Sequence, residues 1–199
     1  MKVLIVGASG VIGSAIVKAL SDKHQVITAS RSAGDVKVDL SSPESIHAMF
    51  DQIGQVDAII SAAGEAEIKP LDALTDLDFD RASGMQLMGQ INLFRYGRNS
   101  LTPGGSVTLT SGIASQINFQ GAAAIGMACA GLERFTDAAS QELTDIRLNV
   151  VSPVSVTESM EKLGWPTEGT ISATDTAKSY LAALNGTMNG QTLSTPEYA

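Results

Sequence analysis

Residues 2–13 read K-V-L-I-V-G-A-S-G-V-I-G, a short apolar run that breaks into a turn holding Gly7, Gly10 and Gly13. An apolar helix pattern follows directly. Buried strand, glycine turn and helix, in that order, suit a dinucleotide pyrophosphate. Gly7 lets the chain leave the strand tightly, Gly10 lets backbone N–H groups approach a phosphate without a Cβ in the way, and Gly13 lets the helix pack close to the sheet. The helix N-terminus then points its dipole at the negative charge. Gly7, Ser9, Gly10, Val11, Ile12 and Gly13 are therefore candidate dinucleotide contacts. The competing interpretation is a strand-to-helix turn that simply tolerates glycine.

Behind this turn, strand and helix patterns alternate almost to the end of the chain. Strands are expected at residues 2–6, 25–29, 36–38, 56–60, 106–111, 147–151 and 191–194. Ile12, Ala15, Ile16, Ala19 and Leu20 share one face of the first helix. Ser42-Pro43-Glu44 opens the second, with Pro at N1 and a stripe of Ile46, Met49, Phe50 and Ile53. An irregular stretch through Pro70 precedes a long helix over 78–101, broken off by Pro103-Gly104-Gly105. A second long helix is expected over 119–142. After the sixth strand comes a loop with a short helix, running to Gly169. Ser172 then starts a last helix, with Asp175 at N3 in a capping-box-like pattern. This order implies an α/β three-layer doubly wound Rossmann fold. With no repeats or linkers visible, 1–199 reads as a single domain.

Composition narrows the function classes. The 199 residues carry a net charge of −8, which argues against nucleic acid and against an anionic membrane surface. Cys129 is the only cysteine, so no intrachain disulfide forms and a reducing compartment is expected. Met1 leads straight into a strand with no signal-like or spanning segment, from which a cytoplasmic location is expected. No metal site is expected.

In a doubly wound sheet, ligands bind outside the carboxyl ends of the strands, so the residues that follow each strand are the ones to read. Ser30 stands after the second strand, where NAD sites usually carry an acid, and Arg31 lies beside it. A carboxylate would repel a 2′-phosphate whereas a guanidinium pairs with it, so the expected cofactor is NADP(H), with NAD(H) second. Asp39 and Leu40 follow the third strand, where a carboxylate can accept from an adenine amino group. The small residues Ser61, Ala62, Ala63 and Gly64 follow the fourth and let a nucleotide lie against backbone. After the fifth, Thr110-Ser111-Gly112 brings hydroxyls to the expected nicotinamide end.

Together these stretches resemble the short-chain dehydrogenase/reductase family along essentially the whole chain. The resemblance rests on G-A-S-G-V-I-G at 7–13, A-S-R at 29–31, V-D-L at 38–40, S-A-A-G at 61–64, G-G-S-V-T-L-T-S at 104–111, I-R-L-N-V-V-S-P at 146–153 and N-G-Q-T-L at 189–193. It implies a seven-stranded, mostly parallel sheet of order 3-2-1-4-5-6-7, NAD(P)(H) binding with Pro153 among the contacts, and reduction of carbonyls or oxidation of alcohols in typical members. It also implies a homodimer or homotetramer, formed through the helices at 78–101 and 119–142.

The catalytic part of the resemblance is missing. Active members carry a Tyr-x-x-x-Lys pair, a Ser about thirteen residues earlier, and often an Asn on the preceding long helix. Aligning A-G-L-E-R-F-T at 130–136 puts Ile125 at the tyrosine place, Cys129 at the lysine place, Gly112 at the serine place with Ser111 one residue early, and Gln86 at the asparagine place. Tyr96, Tyr180, Tyr198, His24 and His47 all fall elsewhere along the chain. No catalytic residue is assigned. Pro153 is followed by Val154 rather than Gly, and Glu158 stands where a threonine is expected. Three functions remain: an NADP(H)-dependent oxidoreductase of unknown small-molecule substrate and non-standard active site, a non-catalytic NADP(H)-binding sensor or partner-binding protein, and a structural homodimer that binds no nucleotide.

Overall fold

A computed structural model describes residues 1–64 and 67–199. Seven strands, β1 (Lys2–Val6), β2 (Gln25–Ser30), β3 (Val36–Lys37), β4 (Val56–Ser61), β5 (Leu101–Thr110), β6 (Arg147–Ser152) and β7 (Thr192–Ser194), form one sheet of order β3-β2-β1-β4-β5-β6-β7. All six neighbouring pairs are parallel. This is the expected doubly wound order, without an antiparallel strand.

Helices cover both faces because each presents one apolar stripe. On one face α1 (Val11–Leu20) and α7 (Ala173–Asn185) set Ile16, Leu20, Ala177, Tyr180 and Leu184 against Val3, Ile5, Ile60 and Val151. On the other, α2 (Pro43–Ile53), α4 (Gln90–Gly97) and α5 (Ala123–Ser140) set Ile46, Phe50, Leu93, Phe94 and Leu132 against Leu4, Ile59, Val107 and Leu109. Each Val, Leu, Ile or Phe among them, fully buried, contributes about 1.5–3 kcal/mol before conformational entropy is counted. The α2 cap follows the sequence, with the Ser42 side chain accepting from the Ser45 N–H and Pro43 opening the helix.

Several boundaries depart from expectation. The helix expected over 78–101 starts earlier, as α3 (Asp76–Arg81), because Thr75 and Asp78 close a reciprocal capping box that puts Asp78 at N3. It widens into a π-helical turn over Ala82–Gly89, resumes as α4, and ends in a 3-10 turn over Arg98–Ser100. Pro103-Gly104-Gly105 does not end that helix. It lies inside β5, where register passes from Val56–Leu101 to Ala58–Ser106 and the extra residues bulge outward. Gly104 takes φ +80° there, and its N–H donates to the Asp145 carbonyl. The helix expected over 119–142 starts only at Ala123, because Gly121 at φ +91° closes a turn that no helix continues through. The short helix in the loop after β6 is α6 (Thr157–Leu163). The irregular stretch expected after β4 falls partly outside the described residues, at 65–66.

Candidate functional site

At the carboxyl ends of β1 to β4 a cleft of about 270 Å³ opens, lined by the first glycine turn, the residues after β2, Val38 and Leu40, Ala62 to Gly64, and Met85. Its shape comes from backbone. Gly7 takes φ +81°, its N–H donates to the Ala29 carbonyl, and a Cβ on it would stand 2.7 Å from the Ala62 carbonyl carbon. The Gly10 N–H closes the turn on the Gly7 carbonyl at 2.9 Å. Gly13 is buried under this turn, where a Cβ would fall 2.0 Å from the Gly7 oxygen. Gly10 caps α1 without a side chain, which leaves that helix N-terminus uncovered at the cleft.

The expected contacts separate into two groups. Gly7, Ser9, Gly10, Ser30, Arg31, Leu40, Ala62, Ala63 and Gly64 line the cleft together. Ser32, Val38 and Met85 join them without having been singled out as contacts. Ser32 and Val38 were within sequence reach, being neighbours of residues already chosen; Met85 was not, because its direction depends on the π-helical turn. Val11, Ile12, Gly13, Asp39, Ser61, Ser111 and Pro153 lie outside the lining. Val11 faces a second groove with Ser14, Lys18, Glu158 and Lys162. Ser61 is fully buried.

Several hydroxyls and carboxylates near the cleft already have protein partners. Ser30 Oγ donates to the Ala33 carbonyl at 2.6 Å and accepts from the Ala33 N–H, so it shapes the turn carrying Arg31. Asp39 Oδ1 accepts from the Ser41 hydroxyl and N–H. Those two bonds, with the Arg31 guanidinium adding a smaller attraction, hold the Asp39 carboxyl below its ordinary value. The Arg31 charge therefore acts at the end of the cleft next to Asp39.

The ends of β5 and β6 are built differently. Thr110 is enclosed: Gln90 Oε1 accepts from its N–H at 2.8 Å, while Gln90 Nε2 (2.6 Å) and Gln86 Nε2 (3.0 Å) both donate to its carbonyl. Its hydroxyl donates to the Ser61 carbonyl and accepts from the buried Tyr180 phenol, which burial pushes above its usual range. Gln90 Nε2 also donates to the Gln86 carbonyl within the π-helical turn. Ser111 and Ser115 both donate to Glu133 Oε1 at 2.6 Å. The Pro153 carbonyl accepts from the Ile113 N–H, and Glu158 Oε2 accepts from the Ala173 N–H at 2.8 Å, at the start of α7. Cys129 is buried in α5, and burial, reinforced by the Glu133 charge, pushes its thiol up to about 12. Neither Cys129 nor Ile125 is placed to deliver a proton at neutral pH. Among the described residues no group of three or more His, Cys, Asp or Glu is arranged to hold a metal ion, and no helix is long and apolar enough to cross a membrane.

This architecture agrees with what the chain is similar to. A family model described as enoyl-(acyl carrier protein) reductase, one of those for the short-chain dehydrogenases/reductases, matches residues 6–188. The chain belongs to the short-chain dehydrogenase/reductase family. Among solved structures of that family, the protein lin1944 from Listeria innocua is 39% identical, covers 98% of each chain and superposes with a TM-score of 0.93. A small-chain dehydrogenase solved in complex with NADPH is 25% identical over 98% of this chain and 95% of its own, with a TM-score of 0.87. Hydroxynaphthalene reductase arp2 of Aspergillus fumigatus is 26% identical over 136 residues, 65% of this chain and 50% of that protein. Human L-xylulose reductase is 26% identical over 183 residues, 82% of this chain and 75% of that one. The chain spans about half the length of the curated fungal reductases it matches.

Proposed function

We propose that this chain binds NADP(H), in preference to NAD(H), and acts as an oxidoreductase whose hydride transfer takes no proton from a side chain. The observation that carries this reading is Arg31 on the wall of a glycine-lined cleft, with Ser30, the last residue of β2, in place of an acid. The residues fit the group. A Cβ on Gly7 would collide with the backbone of Ala62, and the α1 N-terminus is free of a side-chain cap. Gly7, Ser9 and Gly10 would hold the pyrophosphate, Arg31 and Ser32 the 2′-phosphate, and Val38, Leu40 and the Ala62–Gly64 backbone the adenosine and ribose surfaces. When bound, the nicotinamide supplies the hydride. The chain's own part is to orient and to exclude water, since proximity alone supplies much of such an acceleration. With Ser111 and Ser115 already donating to Glu133 and Cys129 held as a thiol, suitable acceptors are those needing no protein acid, such as a flavin, a quinone or an enone-like compound.

Titration calorimetry with NADPH, NADP and NADH tests the cofactor assignment. Replacing Arg31 with Ala is expected to weaken NADPH about 10- to 100-fold, the worth of a charge-assisted contact, and NADH by little. Equal losses for the two would sink the preference. Isoleucine at 125 and the raised thiol of Cys129 also favour a second reading, a non-catalytic NADP(H) sensor or partner-binding protein. Turnover of NADPH with carbonyls, quinones and flavins separates the two: oxidation with any of them supports the enzyme, and tight binding without oxidation supports the sensor. A second copy of the chain is the expected partner, through the helices at 78–101 and 119–142; exposed Ile117, Phe119 and Met127 border a shared groove around the start of α5. Light scattering that gives a monomer would remove that part.

A further inference from the structure

A hydroxyl has one proton to donate, and just beyond β5 two serines commit theirs to the same carboxylate. Ser111 Oγ and Ser115 Oγ each donate to Glu133 Oε1 at 2.6 Å, and their longer contacts, to the Val151 and Gly112 carbonyls, are with acceptors too. Either oxygen therefore has only lone pairs left for a ligand, and the carboxylate behind it makes those lone pairs better acceptors. Glu133 is half-buried and forms no ion pair among the described residues, while its neighbour Arg134 is engaged with Asp137. Ser115 also lines a groove of about 580 Å³ around the start of α5, walled by Ile117, Phe119, Met127 and several alanines, and none of its lining residues is charged. A negative charge thus stands one hydrogen bond behind the wall of an otherwise uncharged, largely apolar groove.

Such surroundings select a ligand by charge and by donor. A ketone oxygen needs a donor, and here it meets lone pairs and a negative charge. A protonated C=N group brings its own N–H and its own positive charge, and the Phe119 ring on the groove wall adds attraction for a cation. We propose that the hydride acceptor is a protonated imine on an apolar frame, seated in this groove with its N–H donating to Ser115 Oγ and its charge offset by Glu133. This names a substrate class for the oxidoreductase reading above and rests on that reading. The iminium carbon accepts the hydride from NADPH, the C=N π pair becomes the nitrogen lone pair, and NADP and a neutral amine are the products. No proton passes to or from the chain. The step therefore suits a site with Ile125 in place of an acid and Cys129 held as a thiol.

Three probes of similar bicyclic shape test this: 3,4-dihydroisoquinolinium, with charge and N–H; its N-methyl analogue, with the charge alone; and 1-tetralone, a neutral ketone. With NADPH, the wild type is expected to reduce the first with a kcat/KM at least about tenfold above that for the ketone, as one charged hydrogen bond supplies, with the N-methyl cation between them. Glu133→Gln keeps an oxygen to accept from both serines and removes the charge. It is expected to bring the three probes within about threefold of one another while NADPH binds as to the wild type. Calorimetry of the N-methyl cation on the protein without cofactor reads the site independently of turnover, and about tenfold weaker binding is expected in Glu133→Gln. Ser115→Ala, which guards against a folding defect in the first variant, is expected to weaken the N–H-bearing cation and not its N-methyl analogue. Equal kcat/KM for iminium and ketone overturns the proposal, as does a preference that survives Glu133→Gln. A wild type that binds NADPH yet neither binds nor reduces the cations overturns it too, the result expected if a second copy fills the groove. If NADPH itself does not bind, the cofactor reading fails instead.

Discussion

The two halves of this sheet end in opposite ways. Beyond β1 to β4 the chain presents backbone: glycines at 7, 10 and 64, small residues at 62 and 63, and an uncapped helix N-terminus. Beyond β5 and β6 it presents side chains already engaged with one another, Thr110 with Gln86, Gln90 and Tyr180, and Ser111 and Ser115 with Glu133. The open half leaves a cleft bordered by glycine backbone and an uncapped helix N-terminus, whereas the closed half spends its polar groups on one another and stabilises the fold. The proposed binding and the proposed chemistry therefore fall on different halves of the sheet and can be tested apart.

Breaking the open half has the largest expected effect. Gly13→Ala sets a Cβ 2.0 Å from the Gly7 oxygen and 2.9 Å from the Ala8 Cα, both backbone atoms that no rotamer change relieves. The turn must move from the position in which, on the proposed reading, it holds the pyrophosphate. Loss of two or more N–H contacts amounts to at least about a hundredfold in NADPH affinity. Overpacking adds about 1–3 kcal/mol of destabilisation, read by thermal unfolding. Near wild-type NADPH affinity in this variant would show that the turn holds nothing.

The glycine turn was legible in the sequence because its constraints are local: three glycines and the flanking strand and helix patterns dictate the backbone whatever packs around them. The parallel, doubly wound sheet was legible from the alternation of strand and helix patterns, while its strand order came from the family resemblance. The closed half was not. That Gln90 pairs both main-chain groups of Thr110, 20 residues away, depends on a π-helical turn that no periodicity announces. Nothing in the sequence around Glu133 signals that it accepts from two hydroxyls of the preceding loop. Asp39 shows the same limit in the open half. Its place after β3 was correct, but Ser41, which engages its Oδ1, was passed over.

Breaking the closed half without touching the cleft gives the next effect. Gln90→Leu leaves the Thr110 N–H without its acceptor and removes the shorter of two donors to the Thr110 carbonyl. An unpaired buried amide and a weakened carbonyl cost about 2–3 kcal/mol, a fall of roughly 5–10 °C in Tm for a chain of this size. NADPH affinity is expected to stay within about threefold, because Gln90 is not among the cleft-lining residues. Stability lost with binding kept would confirm that the halves are independent. A parallel collapse of NADPH affinity would show that the closed network supports the cleft and would erase the distinction.

The smallest effect concerns the thiol at the centre of the closed half. Burial and the Glu133 charge both disfavour the thiolate of Cys129, and the bond from Gln86 Nε2 only partly offsets them. With the value raised to about 12, the thiolate fraction at pH 8 is about one in ten thousand, against roughly a quarter for an ordinary cysteine. A disulfide reagent is therefore expected to leave the folded protein unmodified at pH 8 and to titrate one thiol per chain after denaturation. Cys129→Ser should bind NADPH as the wild type does, since the side chain lies outside the cleft lining. Modification of the native protein within minutes would mean that Cys129 is accessible and ionised. The closed half would then hold a nucleophile, and the case for an oxidoreductase without a side-chain acid would have to be rebuilt around it.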